Sequence, residues 1–231
     1  MYSIIALCGN KGSGKSTVAE WLQKERGYKI KSFADPLKEL AMLLFPEVMT
    51  ETVCYGPSAN REKVFSETEH RQLLSHVRSG RKNLHLDPTL QDLLRTLFGD
   101  TPRREIADRF FMVFMEEPLR TLRSGRSILQ ILGTEWGRGL ADDAWVKALS
   151  AELTPGSKYV VPDLRFPNEG AMLRAKGAGI FWVDASARLT GAPKDNHASE
   201  PSREDLAFCL SGSIPNTGTR EELSAALTER F

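Results

Sequence analysis

Gly9-Asn10-Lys11-Gly12-Ser13-Gly14-Lys15-Ser16 fits the Walker A pattern G-x-x-x-x-G-K-[ST]. The pattern requires a strand before it and a helix after it, and both are written in the flanks. Ile4-Ile5-Ala6-Leu7-Cys8 is a short apolar run suited to a buried parallel strand, and Thr17-Val18-Ala19-Glu20-Trp21-Leu22 has the apolar spacing of a helix. Glycines 9, 12 and 14 let the backbone turn tightly and aim N–H groups inward, and the helix adds its positive end. The stretch from Gly9 to Thr17 therefore reads as a cradle for nucleotide phosphates. Lys15 supplies a mobile charge for the β- and γ-phosphates, and the Ser16 hydroxyl a ligand for magnesium. ATP or GTP binding is the expectation.

The totals narrow the rest. A chain of 231 residues is long enough for one large α/β domain with an insertion. Cys8, Cys54 and Cys209 are odd in number and lack ligand spacing, which fits a reducing compartment, with Cys8 packing as a small apolar residue. His70, His76, His85 and His197 are scattered, so no structural metal is expected. A net charge of +1, from 31 basic against 30 acidic side chains, gives no field for holding a polyanion, and nucleic acid is disfavoured as a partner. No apolar run approaches the roughly 20 residues of a membrane span. A soluble, cytoplasmic chain follows, with no membrane partner and with homodimerisation left open.

Along the chain, the first helix should end near Gly27, and Tyr28 to Phe33 reads as a second strand. Asp35 as N-cap, Pro36 at the first helical position and Leu37, Leu40 and Leu44 then start a helix. Asp35 and Lys38 have two readings, as cap and solvated face residue or as contacts to a phosphoryl acceptor. From about 46 to 123 the chain departs from a minimal nucleotide-binding core. Asp87-Pro88 and Thr101-Pro102 look like caps, Leu90, Leu93, Leu94 and Leu97 line one helix face, and Ile106, Phe110, Phe111 and Phe114 another. This reads as an inserted helical lobe. Eleven arginines and two lysines against ten acids between Arg61 and Arg126 make it rich in guanidinium groups, which bind phosphate bidentately.

Ser124 to Arg138 predicts one helix with Ile128, Leu129, Leu132 and Trp136 inward and Arg126, Gln130, Glu135 and Arg138 on its polar flank. That flank could hold a phosphate and read a base edge, or be an amphipathic surface. Asp142-Asp143 opens a further helix in which Trp145 is expected in the core. Lys158 to Pro162 is an apolar strand ending in Asp163, the pattern of a carboxylate that reaches magnesium. Arg165, two positions on, falls on the same side of an extended chain. Phe166 to Glu169 opens a helix with Met172, Leu173 and Ala175 inward that stops at Gly177, and Ile180 to Val183 is the next strand. Residues 184–203 lose the apolar pattern and read as a lid, with Arg188 and Lys194 as cations and His197 and Glu200 as braces. Asn216 to Gly218 should turn near the phosphate loop and border the nucleotide. Thr219 to Glu222 is a capping box for the last helix.

These pieces, in this order, resemble the bacteriophage deoxynucleoside monophosphate kinases, a P-loop kinase family. The matching stretches are Gly9 to Thr17, Phe33 to Lys38, Arg126 with Gln130 to Glu135, Trp145-Val146-Lys147, Val160 to Glu169, His197 to Glu200 and Asn216 to Leu223. The Leu-Gly-Thr-Glu, Val-Pro-Asp-Leu-Arg and His-Ala-Ser-Glu segments carry the specificity. The resemblance implies a P-loop NTPase core of three α/β/α layers on a parallel sheet, residues about 1–45 and 124–231, with the helical lobe and lid inserted. It also implies ATP, magnesium and a deoxynucleoside monophosphate acceptor, in the host cytoplasm if the gene is a phage's. In that scheme Lys15, Arg165 and Arg188 neutralise charge, and Ser16 and Asp163 hold magnesium. Asp35, Lys38, Arg126, Gln130, Glu135 and Arg138 face the acceptor. Two departures stand out: Ala185 occupies a position where an arginine is expected, and the lobe has no clear match. A kinase for another small acceptor (of dephospho-coenzyme A or sugar-acid type), a nucleic-acid-stimulated NTPase and a non-catalytic nucleotide binder are the alternatives.

Overall fold

The computed structural model describes residues 2–83, 87–116, 123–188 and 202–231. In chain order the elements are β1 (Ile4–Cys8), α1 (Lys15–Arg26), β2 (Lys29–Ile30), α2 (Asp35–Leu44), α3 (Glu51–Tyr55), α4 (Ser58–Glu62) and α5 (Glu67–Asn83). Next come α6 (Pro88–Phe98), α7 (Arg103–Glu116), α8 (Gly125–Gln130), a π-helix (Ile131–Arg138) and α9 (Ala144–Glu152). The chain closes with β3 (Tyr159–Val161), α10 (Pro167–Ala175), β4 (Gly179–Asp184), α11 (Arg203–Leu206), a short 3₁₀ turn, β5 (Gly212–Pro215) and α12 (Arg220–Arg230). They fall into two compact units, Met1–Phe33 with Leu149–Phe231, and Ala34–Ala148.

The first unit holds a five-stranded parallel sheet in the order β2-β3-β1-β4-β5. Ile5, Leu7, Val160, Phe181, Val183 and Ile214 point to one face and form one core with Val18, Ala19 and Leu22 of α1 and Leu223 and Leu227 of α12. The alternate residues Ala6, Cys8, Val161, Ile180 and Trp182 are buried as well, so the sheet is covered on both faces, and α10 packs against β4. Handedness explains the layers. The crossover from β1 runs to one side of the sheet and that from β3 to the other, so right-handed connections put α1 and α10 on opposite faces.

Several boundaries follow from local chemistry. Gly27 at φ 70° closes α1, its N–H bonded to the Gln23 carbonyl. Thr219 and Glu222 form the expected capping box on α12. The second strand is shorter than the span from Tyr28 to Phe33, because Ser32 and Phe33 leave the sheet to bond Asp163. Strand β5 was not marked by the sequence: Ile214 is its one fully buried residue, and Pro215 obscures an edge strand. Ala175 is exposed at the end of α10, where Glu169 and Gly170 are buried instead.

The helical unit is wider than the 46–123 lobe, since α2 packs against α6 and α8, and the π-helix against α7. Asp87 caps α6 as expected, its carboxylate accepting from Leu90 N–H at 3.1 Å. Thr101 does not cap α7: its hydroxyl donates back to the Phe98 carbonyl, and α7 begins at Arg103. Phe111 is exposed, while Ala107 and Val113 join Ile106, Phe110 and Phe114 inside. The predicted single α-helix from Ser124 changes to a π-helix at Ile131, and the widened turn buries Ile131 in place of Leu129. Gly133 and Gly137 permit it. A Cβ on Gly137 would lie 2.4 Å from the Trp145 ring, and the Trp145 indole N–H donates to the Gly133 carbonyl at 2.9 Å. Trp145 is thus a core residue.

Candidate active site

Parallel strands deliver all their C-terminal ends to one edge, and ligands bind at that edge where the connections diverge. Here the divergence lies between β1 and β3. The phosphate loop leaves β1 there. Asp163 follows β3, and its neighbour Leu164 donates its N–H to the carbonyl of Leu7 in β1 at 3.3 Å, which ties this stretch of backbone to the strand from which the loop departs. The ends of β4 and β5 bring Asp184 to Arg188 and Asn216 to the same edge.

Within the loop Gly9, Gly12 and Gly14 have φ of 138°, 80° and 97°, a region open to glycine and strained for other residues. A Cβ on Gly9 would stand 2.6 Å from the Val183 carbonyl, and one on Gly14 2.2 Å from the Asn216 amide nitrogen. Asn10, Lys11 and Ser16 are exposed, and Thr17 is half-buried. Helix α1 has no side-chain cap, and the positive end of a helix favours an anion. The Lys15 ammonium lies across the loop, donating to the carbonyls of Gly9 (2.7 Å) and Asn10 (2.9 Å). Ser13 is buried, and its hydroxyl has no hydrogen-bond partner among the described residues. An orphaned hydroxyl, uncapped N–H groups and a lysine on one glycine-lined cradle fit a polyphosphate.

Asp163 is held by Ser32, whose hydroxyl donates to Oδ2 (2.5 Å), and by the Phe33 N–H, which donates to Oδ1 (3.1 Å). A carboxylate accepts about four hydrogen or metal bonds. The Asp163 carboxylate and the Ser16 hydroxyl are hard oxygen donors of the kind that could hold magnesium. Ser32 was missed in the sequence, where it is one small polar residue after a lysine. Arg165 follows a turn at Pro162 and Asp163 and not a continuous extended chain. Its N–H joins that of Phe166 on the buried Glu169 carboxylate, at 2.8 and 3.1 Å.

Asn216 is buried against the loop. Its side-chain amide donates to the Ser13 carbonyl (2.8 Å), its N–H to the Asp184 carbonyl (2.7 Å), and its own carbonyl accepts from Arg188 Nε (2.6 Å). Arg188 Nη2 lies 4.0 Å from where a Gly14 Cβ would be, which sets this cation at the loop end. Gly218 sits against the Glu222 carboxylate of the capping box. Asp184, unmarked in the sequence, ends β4 at this edge, and the Ser186 N–H bond to its carboxylate holds its pKa below the usual aspartate value. Burial pushes the Cys8 thiol, at the end of β1, up to about 12, so it is inert. Replacing Asn216 by alanine leaves the Ser13 carbonyl without this donor, and should cost about 1–3 kcal/mol in denaturant unfolding. It should raise KM for ATP several-fold, with KM for the acceptor unchanged; equal effects on both substrates would contradict this placement.

The remaining predicted residues lie in the helical unit. Asp35 is the first residue of α2 and makes no cap; its carboxylate pairs with Lys38 at 3.2 Å, and the Lys38 ammonium sits 4.5 Å from the Tyr55 ring centroid. Arg126 pairs with Glu62, and Arg138 bonds forward to the Asp142 carbonyl (2.8 Å) and carboxylate (3.1 Å). Gln130 and Glu135 are half-buried between them. Arg126 lies near the start of α8 and Arg138 at the end of the π-helix, each on its own acid partner. Lys194, His197 and Glu200, and the lid from 189 to 201, lie outside the described residues.

A family model described as deoxynucleotide monophosphate kinase matches residues 3–214. The chain belongs to this family. A protein of Acanthamoeba polyphaga mimivirus with the provisional name deoxynucleotide monophosphate kinase is 34% identical over 201 residues, covering 85% of this chain and 80% of its own. Among solved structures, TT1252 from Thermus thermophilus aligns at 16% identity over 98% of this chain and 95% of its own, with a TM-score of 0.39. Dephospho-CoA kinase from Campylobacter jejuni aligns at 12% over 99% and 95%, with a TM-score of 0.35. Scores of that size leave the fold description to this chain's own strand order. Family membership makes the chain a nucleotide kinase, a phosphotransferase with ATP as phosphoryl donor. Among the described residues no helix is long and apolar enough to cross a membrane.

Proposed function

We propose that the chain transfers the γ-phosphoryl group of ATP to the 5′-phosphate of a deoxynucleoside monophosphate, with magnesium, giving the diphosphate and ADP. The observation that supports it most is the meeting of the phosphate loop and Asp163 at the divergence of one parallel sheet, in a chain of this family. An oxygen of the acceptor phosphate forms the new bond to the γ-phosphorus, and the bond from that phosphorus to the β,γ-bridging oxygen breaks in line. The acceptor oxygen is already ionised, so no general base is required and the protein's work is positioning and charge neutralisation. Lys15 and Arg188 face the donor phosphates, with Arg165 as a further cation. Ser16 and Asp163 would hold magnesium, which when bound screens phosphate charge. Lys38 and Arg126 are the acceptor-side cations, with Asp35, Gln130 and Glu135 nearby in sequence. Arg138, which also bonds the Asp142 carbonyl and carboxylate, is a third. A small acceptor also fits a net charge of +1 better than a polynucleotide does, and a cytoplasmic setting goes with it.

The test is a coupled ADP-release assay with ATP, magnesium and each common deoxynucleoside and ribonucleoside monophosphate, with the diphosphate identified directly. Diphosphate from one or more deoxynucleotides is the expected result and defines the base range. Silence across the panel with ATP binding intact would overturn the choice of acceptor.

A further inference from the structure

Arg126 is the cation on which the acceptor side of the proposed function leans, and its surroundings carry a second residue into the reaction. The end of α4 is stitched to the start of α8: Val64 and Ser124 form an antiparallel bridge, and the Phe65 N–H donates to the Arg123 carbonyl at 2.7 Å. Gly125 has no room for a side chain, since a Cβ there would stand 2.6 Å from Val53 Cγ1 and 3.6 Å from Arg61 Cα. This close approach brings Arg126 Nε to within 2.5 Å of Glu62 Oε1. A guanidinium is planar and presents two edges. A carboxylate taken on Nε fixes the plane and leaves the Nη1–Nη2 edge for a bidentate partner, the geometry that phosphate oxygens match.

We infer that Glu62 is a positioning residue that aims the Nη1–Nη2 edge of Arg126 at the acceptor's phosphate. The inference rests on the proposed function for the identity of the ligand. Its neighbour Arg61 performs a similar service: Nη1 donates to the carbonyls of Cys54 (3.0 Å) and Gly56 (3.3 Å), on either side of Tyr55. Tyr55 is 46% exposed, and the Lys38 ammonium lies over its ring. A short helical segment thus sets a guanidinium edge, an ammonium and an exposed aromatic on packed helices. A guanidinium edge suits the phosphate of a monophosphate, and an exposed aromatic suits its planar base. The pair itself does little for stability. With side chains 20% and 40% exposed, Arg126 and Glu62 are screened by solvent, so removing Glu62 should register in acceptor binding and hardly in unfolding.

The experiment compares Glu62→Ala, Glu62→Gln, Arg126→Ala and the Glu62→Ala/Arg126→Ala double variant. It uses full kinetics on the best acceptor of the panel and calorimetric binding of that monophosphate without ATP. Glu62→Ala is expected to raise acceptor KM and Kd about tenfold, with KM for ATP and the melting temperature unchanged. Glu62→Gln should recover most of the loss, because its amide oxygen still accepts from Nε, and the double variant should be no worse than Arg126→Ala. Unchanged acceptor affinity in Glu62→Ala would overturn the inference. So would tighter binding, which would mean that Glu62 competes with phosphate for the guanidinium, or additive losses in the double variant. If Arg126→Ala has no effect, the acceptor role of Arg126 fails and the positioning role with it, while diphosphate formation by the wild type still stands. A wild type that phosphorylates no monophosphate removes the proposed function and the inference together.

Discussion

Lys15→Ala is expected to lower phosphoryl transfer by about 10²–10³-fold, the loss seen when one preorganised charge-stabilising donor is removed from a site. In the structure the ammonium bridges the carbonyls of Gly9 and Asn10 at 2.7 and 2.9 Å, over the cradle. A triphosphate there offers it anionic oxygens in place of neutral carbonyls, and charge grows on those oxygens as the terminal phosphoryl group departs. The fold should tolerate the change. Lys15 is the first residue of α1, where a positive side chain opposes the helix dipole and alanine is the best helix former. Steady-state kinetics beside a thermal melt checks both halves. A variant that keeps its melting temperature and also keeps activity within threefold of wild type would remove Lys15 from the mechanism.

Asp163→Asn should cost about 10²-fold or more in rate and shift the magnesium requirement upward, because an amide is a poor ligand for a hard divalent cation. The substitution is nearly isosteric, and its hydrogen bonds can survive. The Phe33 N–H can still donate to the side-chain oxygen, and the Ser32 hydroxyl, now a donor to Oδ2, can rotate to accept from the amide. Loss of activity therefore reports on charge at this position and not on collapse of the strand end. A magnesium titration of the initial rate reads it, with near-ultraviolet circular dichroism as the check on packing. Wild-type magnesium dependence in the folded variant would assign Asp163 to tethering Ser32 and Phe33 alone.

Much of the nucleotide half was legible because its signals are local. A glycine-punctuated loop between an apolar strand and an apolar-spaced helix needs no tertiary information, and neither does the stop of α1 at Gly27 or the Thr219–Glu222 capping box. The helical half was less legible. Helical periodicity predicted the segment from Ser124 but assumed 3.6 residues per turn, and the turn widens at Ile131, where Trp145 takes the Gly133 carbonyl. The same reading put Arg126 and Arg138 on one flank, and it could not show their partners, Glu62 and Asp142. Asp35 read as a cap by its place before Pro36, yet the helix already includes it, and Lys38 takes its carboxylate.

By itself the sequence determined the phosphate cradle, the parallel α/β class, the aspartate that ends β3 and the family order of the motifs. Each of these is set by backbone chemistry or side-chain periodicity over a few residues. Only the tertiary structure decided which distant groups meet: Ser32 on Asp163 across 131 positions, Asn216 on Ser13 across 203, and Glu62 on Arg126 across 64. The reason is geometric. A hydrogen bond needs two groups within about 3 Å at a fixed angle, and for residues so far apart in the chain that meeting is set by strand order and helix packing, which no local pattern of side chains encodes.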